Sequence, residues 1–256
     1  MQRTVILEGV DNFRDFGGYP TRHGRPMKRG RLYRSASHAR ATDADLEAIS
    51  ALGIAVIVDL RRKPERDRDP SRRHPAFAAV VIDNDSEQPD SWHEHIRTSD
   101  LTPASFRRYL IDYYRAAPFE PRHVDLFRRY FQALAETDGA MLIHCAAGKD
   151  RTGVLAALTH HVAGVDPEDI VADYLLTNNP QRFAARLPMI AAAVKEISGR
   201  DADEATLLTA MGVEADYLAA AFQVIDETCG DVETYLDTVI GLSPDLRAQI
   251  AERLLE

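Results

Sequence analysis

A three-layer α/β fold, with a central and mostly parallel sheet, flanking helices and a helical C-terminal extension, is what this sequence predicts. Three observations carry the prediction. Apolar runs without polar alternation, at residues 54–60 and 140–143, read as strands buried on both faces, as parallel sheets require. Segments with recognisable helix starts alternate with these runs. From residue 181 to 255 the spacing predicts four or five helices and no strand.

The chain opens on a short predicted strand at residues 4–7, followed by a Gly- and Arg-rich stretch whose glycines and prolines, Gly17-Gly18-Tyr19-Pro20 among them, mark the turns of a hairpin reaching residue 35. Thr42 is a good N-cap for a helix that Gly53 ends. The buried strand 54–60 follows. Residues 61–73 form a charged segment broken by Pro64 and Pro70, in which Glu65, Asp67 and Asp69 read as self-paired surface among the arginines. A further short strand is expected at 78–82 and a polar loop over 83–102. Helices are expected at 104–116 and at 121–136, where Pro121 suits the first helical turn. After the strand at 140–143 come a loop, a helix through Val162, and another from Pro167 that Asn178-Asn179-Pro180 stops. The whole, residues 1–256, reads as one domain, with an aromatic-rich region at about 103–136 that can fold as a lid and a helical part at about 166–256.

With 31 Lys and Arg against 40 Asp and Glu, the formal charge is -9, which argues against nucleic acid as a partner because phosphate-backbone binding needs clustered positive charge. Cys145 and Cys229 make no disulfide framework and fit a reducing compartment; Cys229 has no motif around it. No apolar run approaches the roughly 20 residues of a transmembrane helix, and the N-terminal apolar stretch is too short for a signal peptide. Cytoplasm is therefore the expected location, with signal-independent secretion compatible with the same features. No motif sets an oligomeric state.

The most informative stretch is His144-Cys145-Ala146-Ala147-Gly148-Lys149-Asp150-Arg151-Thr152-Gly153, at a strand-to-helix turn. Unpaired N–H groups at a helix start, with the positive end of its dipole, favour an anion there, and a phosphate and a thiolate both qualify. Thiols titrate at about 8.5 when free and roughly 3.5–7.5 beside positive charge or a helix N-terminus. Cys145 is thus the candidate nucleophile, and Arg151 can donate two parallel hydrogen bonds to phosphoryl oxygens. Ala146, Ala147, Gly148, Lys149, Asp150 and Arg151 are expected to bind the substrate phosphate, with Gly148 allowing successive N–H groups to point inward. His144, Thr152 and Gly153 are expected to support the loop, Thr152 by donating its hydroxyl to the sulfur. The ordinary alternative, a buried structural cysteine and a solvated arginine, does not require this order of residues at this turn.

The segment resembles the signature of the cysteine-based protein-tyrosine phosphatase superfamily, and its Gly148-Lys149-Asp150-Arg151-Thr152-Gly153 version is similar to the bacterial PtpB-like, dual or triple specificity branch. Asn12-Phe13-Arg14-Asp15, Leu32-Tyr33-Arg34-Ser35, Asp59-Leu60-Arg61, Ala172-Asp173-Tyr174 and Val213-Glu214-Ala215-Asp216-Tyr217-Leu218 extend the likeness along nearly the whole chain. The resemblance implies the phosphatase fold, a phosphocysteine intermediate, no metal and no cofactor. It also implies phosphorylated protein or phosphoinositide as substrate, inorganic phosphate as product, and a helical cover over the thiolate.

One member of the expected set has no conventional motif: the acid that protonates the leaving oxygen. The branch resemblance points most nearly to Asp85, with Asp83 beside it, at the exit of a predicted strand where ligands gather in parallel sheets. Both also read as solvated loop carboxylates. Asp112 lies nearer Cys145 in sequence but within an amphipathic helix, whereas Asp150 inside the loop can orient water or hold an arginine. Lys149 reads either as a second cation for phosphate or as a solvated rim residue. Arg61 is placed with the substrate-binding set, the other reading being that it braces the site through Asp59. A phosphate-recognition module without turnover is the competing function, and sulfur transfer a more distant one.

Overall fold

The computed structural model describes residues 3–87 and 89–256. Five strands form one sheet: β1 (Arg14–Asp15), β2 (Leu32–Ser35), β3 (Ile54–Asp59), β4 (Val80–Ile82) and β5 (Ala140–His144). Their order is β1-β2-β5-β3-β4, with β1 antiparallel to β2 and the other pairs parallel. Strands β3 and β5 are buried on both faces, and successive side chains join different cores. Met141 and Ile143 of β5, with Val56 and Val58 of β3, face the main core, while Ala140, Leu142 and Ile57 face a smaller one.

Helices close both faces, giving the three expected layers. On the smaller-core side lies α1 (Asp43–Ser50), begun by a capping box in which the Thr42 hydroxyl accepts from the Asp45 N–H and the Asp45 carboxylate accepts from the Thr42 N–H. The main core holds α5 (Pro121–Glu136) and α6 (Asp150–Ala163). Nearly every side chain of α6 is buried, as a helix apolar on all sides must be, and Gly164 ends it in the left-handed region at φ 78°. The helices α7 (Pro167–Leu175), α10 (Ala215–Cys229), α11 (Val232–Thr238) and α12 (Pro244–Leu254) complete that side.

A third apolar cluster stands apart from both faces. It joins α3 (Ser91–Thr98), α4 (Pro103–Ala116), α8 (Pro180–Ser198) and α9 (Glu204–Met211) through Ile96, Leu101, Phe106, Val194, Leu207 and Ala210. These helices roof the sheet's carboxyl edge. The aromatic stretch expected to act as a lid is therefore divided: α4 belongs to the roof, while α5 buries Leu126, Phe127, Tyr130 and Phe131 in the main core.

Several local expectations change. Residues 4–7 form no strand; Thr4 makes a single bridge to Arg14, because β1 is too short to template more, and Ile6 stays 85% exposed. The charged segment after β3 holds a helix, α2 (Lys63–Arg68), with Pro64 in its first turn, where the missing N–H is harmless. The polar 83–102 stretch contains α3, capped by Asp90. Asn179 does more than end α7, since its side chain caps α8.

Because Phe106 is fully buried in the roof cluster alone, Phe106→Ala is expected to cost about 3–5 kcal/mol there. Amide hydrogen exchange should show α3, α8 and α9 losing protection while β5 keeps it.

Candidate active site

Ser35, His144 and Asp59 lie in register, so β2, β5 and β3 end together at one edge of the sheet. The loop of residues 145–149 leaves β5 there and enters α6 at Asp150. Gly148 makes the turn at φ 66°, and a Cβ on it would come within 2.5 Å of the Ser35 carbonyl carbon, so both torsion and space demand glycine. Three successive loop carbonyls are tied to groups outside the loop. Ala146 O accepts from Ser37 N–H at 3.1 Å, Ala147 O from Arg182 Nη2 at 3.4 Å, and Gly148 O from Asn12 Nδ2 at 2.8 Å and Arg34 Nη2 at 3.1 Å. Among the described residues, the N–H groups of Ala146, Ala147, Gly148 and Lys149 donate to no protein acceptor. This is the arrangement of an anion-binding nest.

Cys145, Ala146, Ala147, Lys149, Asp150 and Arg151 line a cavity of about 910 Å³ between this loop and the roof. Its far wall carries Trp92, Tyr109 and Tyr113, with Tyr109 and Tyr113 stacked at 6.5 Å between ring centroids. The Arg151 guanidinium is fixed by a two-point pair to Glu65, at 2.6 and 2.8 Å, and by a bond to Leu60 O at 3.0 Å. Burial pushes the Glu65 carboxyl up, but Arg151 outweighs it and holds that carboxyl far below its ordinary value. Burial would likewise lower Arg151; Glu65, and then the Cys145 sulfur, reverse this and hold the guanidinium well above its usual range. Glu65 was absent from the sequence-based site. The only sequence hint was a glutamate in the first turn after Pro64, where it accepts from the Arg62 N–H at 2.7 Å.

The supporting residues are deeply buried. His144 is fully buried with its ring 5.0 Å from that of His38, and burial lowers it to about 4, so it is neutral at pH 7. Thr152 is fully buried too, its hydroxyl without a partner among the described residues. Gly153 packs under Tyr174, where a Cβ would meet the ring at 2.9 Å. Asp150 Oδ1 accepts from the Tyr114 hydroxyl at 3.0 Å.

Three expected site residues are corrected, and the side-chain role of a fourth, Lys149, changes. Asp83 and Asp85 do not reach the cavity; both are exposed carboxylates paired with Arg66. Arg61 cannot serve substrate, because Asp59 takes its Nε and Nη2, Ser37 and the Asp69 carbonyl take Nη1, and Ser71 shares Nη2. Lys149 is neither a free second cation nor a solvated rim residue. Its ammonium donates to Ala210 O at 2.7 Å and Gly212 O at 3.1 Å, at the carboxyl end of α9, and so ties the roof to the loop. Asp112, set aside in sequence, does line the cavity, as do Asp69 and Glu196.

Comparison with known proteins agrees with this geometry. The model of the tyrosine phosphatase family matches residues 5–256. A Cupriavidus necator protein named as a tyrosine-protein phosphatase is 34% identical over 235 residues, 91% of this chain and 82% of that protein. The triple specificity protein phosphatase PtpB of Mycobacterium tuberculosis is 32% identical over 267 residues, covering 90% of this chain and 91% of its own.

The Glu65 carboxyl is depressed in the folded protein, so its contribution to stability is complete above about pH 5 and is lost as pH falls through its ordinary value toward the folded one. Glu65→Gln should therefore lower Tm at pH 7, and the difference from wild type should shrink on acidification. A gap that widens toward low pH would contradict the assigned pair.

Proposed function

This chain belongs to the tyrosine phosphatase family, and on that premise we propose that it hydrolyses phosphotyrosine through a phosphocysteine formed on Cys145. One observation carries the reading: Cys145 sits at the floor of the cavity, with the Arg151 guanidinium pinned beside it by Glu65. The Cys145 sulfur attacks phosphorus in line while Arg151 and the free loop N–H groups hold the non-bridging oxygens. The ester P–O bond breaks, its electron pair leaves with the substrate oxygen, and that oxygen takes a proton. Asp150 is assigned as the donor, being the cavity-lining acidic residue at the junction of the loop with α6, where its Oδ1 accepts from the Tyr114 hydroxyl and lies 3.5 Å from the Lys149 ammonium. In the second step water attacks phosphorus, giving its proton back to Asp150. The S–P bond breaks, and inorganic phosphate leaves. Thr152's buried hydroxyl is available to the departing sulfur.

The aromatic wall of Trp92, Tyr109 and Tyr113 supports an aryl phosphate as the first substrate. Phosphoserine, phosphothreonine and phosphoinositides belong to the same proposal, in line with the triple specificity in the name of the mycobacterial relative. No helix among the described residues is long and apolar enough to cross a membrane, and we place the reaction in the cytoplasm, where a free thiol survives. The displacement of Asp83 and Asp85 from the cavity favours one other reading, a phosphate-recognition module. It predicts binding of phosphopeptides without phosphate release.

Cys145→Ser is expected to lower turnover by about four orders of magnitude or more while phosphopeptide still binds; retained turnover would sink the scheme. Asp150→Asn should reduce kcat on phenyl phosphate about 10²–10⁴-fold and far less on p-nitrophenyl phosphate, whose leaving group needs little protonation. Activity across phosphotyrosine, phosphoserine and phosphothreonine peptides and inositol lipids should be indifferent to chelator, and chelator sensitivity would contradict the metal-free mechanism.

A further inference from the structure

Three sequence motifs distant from the loop converge behind it. Asp173 of α7, 1% exposed, accepts from Arg34 Nη1 at 2.9 Å and from Arg14 Nε at 3.5 Å, and its main-chain carbonyl accepts from Arg14 Nη2 at 3.0 Å. Arg14 also donates to the Asn12 side-chain carbonyl at 2.5 Å. The free ends of this network then meet on one atom. Asn12 Nδ2 and Arg34 Nη2 both donate to the Gly148 carbonyl, at 2.8 and 3.1 Å.

A peptide group is rigid and planar, so holding the carbonyl oxygen of Gly148 from behind sets the direction of the Lys149 N–H on its other side. That N–H belongs to the free set facing the cavity loop. Asn12 is itself in the left-handed region at φ 57°, a conformation that an asparagine tolerates better than most residues and that brings its amide to the loop. The network also carries charge. Two guanidinium groups, Arg14 and Arg34, share the single carboxylate of Asp173, which leaves one unit of positive charge buried behind an anion site. Burial pushes the Asp173 carboxyl up, and Arg14 and Arg34 together more than offset it, so the carboxylate stays ionised.

We propose that Asn12, Arg34 and Asp173 are positioning residues that set the loop's affinity for phosphate and for the transferring phosphoryl group by fixing the Gly148 peptide, although none of them lines the cavity. The inference rests on the phosphate-binding part of the proposed function. Turnover is a separate matter.

Asn12→Gly is the sharpest variant, because glycine accepts the positive φ while the donor to Gly148 O and the acceptor for Arg14 Nη1 are both removed. Arg34→Lys is its companion, keeping charge but losing the two-point geometry. Inorganic phosphate binding by calorimetry, inhibition by vanadate, kcat and KM on p-nitrophenyl phosphate, and Tm are to be measured for each and for wild type. Asn12→Gly should weaken phosphate and vanadate about tenfold or more, and lower kcat more than it raises KM, as a misplaced loop does. Its Tm should fall by a few degrees, the scale set by the lost hydrogen bonds, with the protein still folded at the assay temperature. Arg34→Lys should weaken both anions at least as much. If it fails to fold, the Asn12→Gly comparison decides alone. Unchanged phosphate and vanadate affinity in Asn12→Gly would overturn the proposal, whatever happens to Tm. A wild-type protein that binds phosphate without turnover would sink the phosphatase reading and leave this one to stand on the binding comparison.

Discussion

Gly148 stands at φ 66° with its α-carbon pressed against the Ser35–Ala36 peptide. From that contact much of the site follows. The close approach locks the loop over the junction of β2 and β5, and the torsion turns the chain sharply enough for α6 to begin at Asp150. Carbonyls on the outside of the turn then meet donors from Ser37, Arg182, Asn12 and Arg34, and the N–H groups are left on the inside. A larger residue at this position would have to displace the β2 backbone, which is the least yielding part of the sheet.

Around that turn, buried arginines are distributed among a few carboxylates. Arg151 is held by Glu65, Arg61 by Asp59, and Arg34 with Arg14 by Asp173. Such pairs are weak evidence for stability, because removing two charges from water costs about as much as their attraction returns. Their value here is geometric. A guanidinium with both ends occupied has one orientation, and each of these arginines fixes something the loop needs: its cation, the end of β3, or its carbonyl direction. Lys149 extends the same logic to the roof, since its ammonium caps α9 and joins the roof to the loop through two hydrogen bonds.

The core of the site was legible because its chemistry is local. Cys145, Gly148 and Arg151 lie within one turn of chain, and the strand before and helix after them are announced by apolar runs. The three layers were legible for the same reason. What could not be read was anything set by a long-range pairing. Arg61 looks like a substrate arginine until Asp59, Ser37, Ser71 and the Asp69 carbonyl are seen to consume its donors. Asp83 and Asp85 follow a strand as expected, yet β4 is an edge strand, and its exit turns them toward Arg66 on α2. Glu65 was hidden by its neighbours: amid so many charges it reads as surface, and its bond back to the Arg62 N–H at the start of α2 is visible only in the structure. The third apolar cluster was missed because the residues of α3 sit in a polar stretch, where Trp92 and Ile96 are its sparse anchors.

The central claim is that phosphoryl transfer passes through Cys145. Rapid acid quench of the enzyme during turnover of an aryl phosphate, followed by mass spectrometry of the peptide containing Cys145, tests it directly. A phosphate adduct on Cys145, formed at a rate at least equal to kcat and absent from Cys145→Ser, is the result expected here. Turnover at full rate with no phosphorylated cysteine at any quench time would contradict it.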